Sequence, residues 1–196
     1  QQAQLKMLRY QLNPHFLFNT LNAISTLVLD QKTGPANTML TRLSRFLRYS
    51  LDNDPMQKVT VATEVEALKL YLDIEKVRFE ERLQLYFDID PTARSALMPS
   101  LLLQPLVENS IKYAISVAIG GGSISVSALV AGDQLVLSVA DDGPGLDHRP
   151  DKARKSGGVG LVNCRERLRE IYGNRQSVRL GATRPHGLTV TIRIPL

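Results

Sequence analysis

The sequence predicts an α+β chain: an N-terminal helical hairpin followed by a two-layer α/β sandwich. Three observations predict it. Residues 4–51 carry apolar side chains at helical spacing, punctuated at Gly34-Pro35. From Leu83 onward, alternating stretches separated by turn residues read as strands. Among those strands lie two more helical segments, one opened by Pro105 and one closed by Gly173.

In chain order, residues 4–29 are expected as the first helix, with Leu5, Leu8, Leu12, Phe16, Leu21, Ile24 and Val28 recurring every three to five positions. Pro14 lacks an N–H and crowds the carbonyl four residues back, so the expectation is a kink there. Residues 36–51 form the second helix, and the pair makes an antiparallel hairpin. Such a hairpin cannot bury both its faces, and pairing two copies into a four-helix bundle would complete a core. The polar stretch from Asp52 to Lys58, with Pro55, reads as a linker. Residues 1–58 are therefore expected as a dimerisation domain and 59–196 as a second domain.

A Thr63-Glu64-Val65-Glu66 capping box is expected to start a helix running to about Phe79. Leu83–Asp90 follows as a strand, with Leu85, Phe87 and Ile89 on one face. Pro105 suits the first turn of a helix from Leu106 to about Ala118. After Gly120-Gly121-Gly122, Ser123–Val130 and Gln134–Ala140 form a strand pair across Gly132-Asp133. Leu161–Tyr172 is helical, and Ser177–Gly181 with Leu188–Ile194 closes the chain as a hairpin. Helices are expected on one face of a mixed sheet.

Composition narrows the function classes. Hydrophobic content of 43% and charged content of 22% are those of an ordinary globular chain. No run of 18 apolar residues is present, so no segment is expected to span a membrane. The chain opens on Gln1 rather than Met, so it is expected to be a fragment, with any membrane segment lying before Gln1. The net charge is +5, and residues 1–58 hold 7 Lys/Arg against 3 Asp/Glu. Basic residues are dispersed and Trp is absent, which argues against direct nucleic-acid binding and for a face near a membrane or an acidic partner. The single Cys164 excludes an internal disulfide and reads as a buried packing residue.

Three motifs in the second half carry chemistry. Glu108-Asn109-Ser110-Ile111-Lys112-Tyr113 lies on a helix, where Asn109 and Lys112 share a face. An amide oxygen can ligate Mg²⁺ and a lysine one turn on can meet phosphate. Asp141-Asp142-Gly143-Pro144-Gly145 directly follows a strand. A carboxylate there can accept from an exocyclic amine such as that of adenine, and the glycines allow close approach. Gly157-Gly158-Val159-Gly160-Leu161-Val162-Asn163 leads into a helix, whose glycine-rich start can cradle phosphate. Between the last two boxes, Arg149, Lys152, Arg154 and Lys155 form a basic loop suited to a lid. Each box alone is ordinary surface chemistry; the ordered set is specific.

The three boxes resemble the ATP-binding domain shared by histidine kinases, gyrase, MutL-type ATPases and a family of heat-shock chaperones. That resemblance implies ATP as cofactor, with Mg²⁺ held by Asn109 and adenine read by Asp141. It implies nucleotide loops formed by Gly143, Gly145, Gly158 and Gly160, with Leu161 and Asn163 beside them and with Lys112 and Tyr113 near the phosphates and base. Water-activating members of that superfamily place a Glu four residues before the Mg²⁺-binding Asn. Pro105 stands there in this chain, so the resemblance implies phosphotransfer rather than free hydrolysis.

Adding Gln11–Asn22, QLNPHFLFNTLN, and the segment Tyr71–Phe79, the chain resembles the LytS/YehU/AlgZ-like sensor histidine kinases over nearly its full length. By that resemblance His15 is the phosphoacceptor, in a cytoplasmic core attached to the bacterial inner membrane through a preceding segment. The partners implied are a second copy of the chain and a response regulator, often one with a LytTR-type DNA-binding domain. Residue 16 is Phe, where most histidine kinases follow the histidine with an acid. Glu108 is then a candidate base, and Asn19, one turn after His15, a candidate to orient the ring or a water. The rival expectation is a nucleotide-sensing or phosphatase-biased scaffold with little autokinase activity.

Overall fold

The computed structural model describes residues 13–150 and 158–196. It divides into two compact units, residues 1–54 with 65–80, and residues 55–64 with 81–196. Residues 65–80 thus group with the hairpin.

In the first unit, α1 spans Pro14–Leu29 and α2 spans Thr33–Asp52. The part of the expected first helix before Asn13 lies outside the described residues. Pro14 does not kink a continuous helix. It occupies the first helical position, where its missing N–H costs nothing, and Asn13 is extended at φ −74° and ψ 107°. A three-residue link follows α1, with Gln31 in the left-handed region at φ 60°. The second helix opens at Thr33, and Pro35 is absorbed into its first turn, where N–H groups have no intrahelical acceptor. Phe16, Thr20 and Ile24 of α1 and Met39, Leu43 and Phe46 of α2 are buried. The rings of Phe16, Phe46 and Tyr71 pack together with centroids 4.8–5.8 Å apart. Tyr71 belongs to α3, Val61–Phe79.

The N-terminus of α3 corrects the expected capping box. The cap is Thr60, whose hydroxyl oxygen accepts from the Thr63 N–H at 3.2 Å, three residues earlier than expected. Glu64 is buried and accepts from the Leu101 N–H at 3.0 Å.

In the second unit, β1 (Lys58–Thr60) pairs antiparallel with β3 (Leu97–Pro99), a two-stranded ribbon the sequence does not announce. The main sheet holds β2 (Leu83–Ile89), β4 (Gly122–Ala131), β5 (Gln134–Asp141), β6 (Ser177–Ala182) and β7 (Leu188–Pro195), in the order β2-β4-β5-β7-β6. The sheet is mixed as expected, since β2 runs parallel to β4 and the other pairs are antiparallel. Helices α4 (Gln104–Ser110) and α5 (Val159–Tyr172) bury Leu106, Val107, Leu161, Cys164 and Leu168. Val126, Val139 and Val190 pair across three strands, as do Ala128, Leu137 and Ile192, and all six are buried. A single π-helical turn, Ile111–Ile115, extends α4. Among the described residues no helix is long and apolar enough to cross a membrane.

Candidate active site

Strand alternation places the central carboxylate. Leu135, Leu137 and Val139 of β5 face the buried layer, so Asp141, two residues on, enters the same layer at the strand's end. There it is buried and accepts three hydrogen bonds: from the Ser110 hydroxyl at 3.0 Å, the Gly143 N–H at 3.1 Å and the Leu188 N–H at 3.3 Å. An ionised carboxylate has about four acceptor positions, so roughly one remains for a ligand. Its neighbour Asp142 turns the other way and accepts from the Ser123 N–H at 2.7 Å and hydroxyl at 2.9 Å, tying the loop to the start of β4.

The loop after β5 lies close to the helix layer because it carries glycine. A Cβ at Gly143 would stand 2.4 Å from the Cβ of Ala114. Gly145 sits at φ 87°, which favours glycine. His186 Nδ1 lies 2.9 Å from the Gly143 carbonyl oxygen. A Cβ at Gly187 would overlap the Asp141 carbonyl oxygen. Neither His186 nor Gly187 stands out in the sequence; the available signal is only a Pro-His-Gly turn before a strand.

A cavity opens beside Asp141. Its apolar wall includes Leu106, Val139, Leu161 and Val190, and its polar lining is Asn109, Ser110, Asp141 and Arg149. The free volume is about 10 Å³, room for roughly one water. At its rim the start of α5 meets α4: Cβ atoms at Gly158 and Gly160 would each lie 3.6 Å from Asn109 Nδ2. Gly158, at φ 95°, is the residue before the first turn of α5, whose N–H groups have no acceptor within the helix. Pro105 packs against the same place, 3.0 Å from where a Gly160 Cβ would stand.

The π turn after α4 carries the next expected residues. It adds one residue to the turn, closed by the Ser116 N–H to Ile111 carbonyl bond at 2.9 Å, and so re-aims Lys112 and Tyr113 relative to Asn109. Lys112 Nζ stands 5.1 Å from the Tyr113 ring centroid, and the Arg149 guanidinium carbon 4.5 Å from it. Arg149, expected in a basic loop suited to a lid, is buried and lines the cavity. Lys152, Arg154 and Lys155 lie outside the described residues. Glu108 is half-buried, 3.1 Å from the Gln104 amide nitrogen. Asn163 is exposed on α5 and does not line the cavity. The structure thus gathers Asn109, Asp141 and Leu161 round one cavity, with Gly158 and Gly160 against Asn109, and with Tyr113 reached through Arg149.

His15, in the other unit, is exposed on the first turn of α1. The Asn13 side chain accepts from the backbone N–H groups of His15 at 3.1 Å and Phe16 at 3.3 Å, fixing that turn. Asn19 Nδ2 lies 3.2 Å from His15 Nδ1, one turn on. The next residue, Phe16, is buried and anchors the adjacent face of the helix.

Comparison with known proteins gives the following. A family model described as histidine kinase matches residues 3–83, and one described as histidine kinase-, DNA gyrase B-, and HSP90-like ATPase matches residues 96–196. The sensor histidine kinase YesM of Bacillus subtilis is 36% identical over 196 residues, covering 99% of this chain and 33% of YesM. The sensor protein LytS of Staphylococcus haemolyticus is 34% identical over 204 residues, covering 98% of this chain and 34% of LytS. The chain therefore spans about a third of the length of these relatives. Among solved structures, the histidine kinase ThkA in complex with the response regulator TrrA superposes with a TM-score of 0.51 at 16% identity, over 93% of this chain and 59% of that one. That likeness is one of fold.

Proposed function

The chain belongs to the histidine kinase-, DNA gyrase B-, and HSP90-like ATPase family, and we propose that it is the catalytic core of a two-component sensor histidine kinase. In this reading ATP phosphorylates His15, and the phosphoryl group then passes to an aspartate of a response regulator. The observation that carries the reading is the buried Asp141 carboxylate, held by three protein donors beside Asn109 and the glycine-started α5.

Each site residue has a part in it. Asp141 accepts from the exocyclic amine of adenine, while Leu161 and its apolar neighbours cover the ring. Gly143 and Gly145 hold the loop close to the base. The phosphates lie toward the first turn of α5, where Gly158 and Gly160 clear the approach and the helix dipole favours negative charge. Lys112 adds positive charge there, and Asn163 is a further contact. The Asn109 amide oxygen suits Mg²⁺, which supplies charge neutralisation on the phosphates.

Transfer needs a neutral ring nitrogen in line with the γ-phosphorus. Its lone pair forms the N–P bond as the bond to the β–γ bridging oxygen breaks and ADP leaves. Asn19 decides which nitrogen that is. With its amide nitrogen toward Nδ1, the Nδ1 lone pair is engaged and Nε2 carries the proton. The opposite amide orientation keeps the same heavy-atom positions, lets Oδ1 accept from Nδ1–H and frees the Nε2 lone pair. The second is the reactive arrangement. An amide orients but does not take up a proton, so the base is assigned to Glu108, brought to His15 during catalysis.

The proposed partners are a second copy of this chain and a response regulator, of the LytTR-bearing type in the finer reading. The likeness to ThkA, solved in complex with a response regulator, supports the coarser partner. The full-length protein is proposed to present this core at the cytoplasmic face of the inner membrane.

The test is incubation with Mg²⁺ and γ-labelled ATP, comparing the unaltered chain with His15→Ala. Label that needs His15, survives base and is lost in acid is expected. Absence of label despite measurable ATP binding refutes the autokinase reading. One observation favours a phosphatase-biased alternative: the residue after His15 is a buried Phe, and the ring's polar partner is the Asn19 amide. That alternative predicts dephosphorylation of the regulator that needs Asn19 and not His15.

A further inference from the structure

Arg149 is the cation whose surroundings least resemble its sequence context. It follows Asp147 and His148 in a polar stretch, yet it is only 6% exposed and lines the cavity with Asp141 and Asn109. Its guanidinium stacks over the Tyr113 ring, 4.5 Å from the centroid. Its Nη1 is buried and has no hydrogen-bond partner among the described residues. Burial pulls the guanidinium below its ordinary pKa, and the charges of Asp141 and Tyr113 act in the opposite sense.

A buried guanidinium with an idle N–H is costly unless something offsets it. Here the offsets are the ring face of Tyr113 and the field of Asp141. Those are the two features a purine would use: an aromatic face to lie against and a carboxylate for an exocyclic amine. Arg149 lines the cavity beside Asp141 and covers the ring face of Tyr113, so a purine seated between those two groups meets the guanidinium there. The base and the guanidinium therefore compete for the same two features. A ligand with phosphates compensates the displaced cation with charge-assisted hydrogen bonds. A bare nucleoside does not.

Resting on the nucleotide-site reading above, we propose that Arg149 is a specificity gate: it holds the base position beside Asp141 and Tyr113, and it yields to nucleotides carrying phosphates while rejecting nucleosides. The selectivity for ATP over adenosine then arises at the base end of the site as well as at the phosphate end.

The experiment is calorimetric titration of the full chain with ATP and with adenosine, for the unaltered protein, Arg149→Ala and Arg149→Lys. The unaltered chain is expected to bind ATP and to bind adenosine far more weakly. In Arg149→Ala, adenosine should bind at least fivefold tighter, and the ratio of the adenosine Kd to the ATP Kd should fall at least tenfold. Adenosine affinity that is unchanged or weaker in Arg149→Ala overturns the gate, even where ATP affinity drops. Failure of the unaltered chain to bind ATP overturns the site reading and the gate with it. A second readout needs no variant. The Arg149 Nε–H resonance should be ring-shifted by Tyr113 in the free protein and should lose that shift on saturation with ATP. A resonance that keeps its shift at saturation overturns the gate.

Discussion

Asp141 uses three acceptor positions on the protein itself, and this is what orients its remaining one. The Ser110, Gly143 and Leu188 donors hold the carboxylate rigid, so its free lone pair has a fixed direction. Asp141→Asn removes the charge and turns one oxygen into a donor facing donors. Hydrogen bonds to charged groups contribute about 1.5–3 kcal/mol, so ATP affinity is expected to fall by roughly ten- to a hundredfold on titration calorimetry. An unchanged Kd would count against the assignment of the base to this carboxylate. Gly143→Ala places a methyl 2.4 Å from the Ala114 Cβ. Overpacking of that kind costs about 1–3 kcal/mol, readable as a lower urea midpoint. Cys164 is buried, and desolvation pushes its thiol up to about 11. It should resist thiol reagents in the native chain and react fully in denaturant; rapid native labelling would contradict its packing role.

Helix α3 carries the clearest pH dependence. Burial pushes the Glu75 carboxyl from 4.5 up to about 7, with Arg78 opposing the shift. Among the described residues its Oε2 has no hydrogen-bond partner, and it lies 3.9 Å from Arg78 Nη1. A carboxyl whose folded-state pKa is raised binds its proton more tightly in the folded chain. Its contribution to stability is fully present below about pH 4.5 and is lost as pH rises through about 7. The shift corresponds to at most about 3 kcal/mol. Glu75→Gln should therefore flatten the fall in unfolding free energy between those pH values. An identical slope for both proteins in denaturant titrations across that window would refute the burial argument. At the other helix start that matters, the Asn13 cap is legible in the sequence only as the residue before Pro14. The capping hydrogen bonds to His15 and Phe16 turn a supposed kink into a helix beginning.

On the scale of the molecule, the apolar surface outside the described core is unevenly placed. At helical periodicity Phe18, Leu21, Val28 and Leu29 fall on one stripe of α1, and all four are exposed, Phe18 at 66%. With Phe16, Thr20 and Ile24 already buried on another face, α1 has a second apolar face that water does not favour. This is the face on which the proposed dimer depends. The double variant Phe18→Asp, Leu21→Asp is expected to sediment as a monomer at micromolar concentration where the unaltered chain sediments as a dimer. A monomeric unaltered chain would remove the basis for the four-helix bundle.

The sequence by itself determined the elements whose signals are local. Alternation placed β2, β4, β5 and β7 to within a residue or two, because a strand buried on one face must alternate. The same alternation carried Asp141 to the inner face. Ordered glycine boxes identified the loops because backbone close approach leaves few other residues possible. Tertiary structure alone decided what depends on neighbours distant in the chain. The β1–β3 ribbon exists because residues 58–60 meet 97–99, and three residues carry no periodicity of their own. Thr60 rather than Thr63 caps α3, and Glu64 accepts from the Leu101 N–H, a bond 37 residues apart in sequence. Arg149 is buried, though in sequence it belongs to a basic loop, because Tyr113 and Asp141 face it from other elements. A charge's partner is set by the fold that surrounds it, and local sequence does not contain that partner.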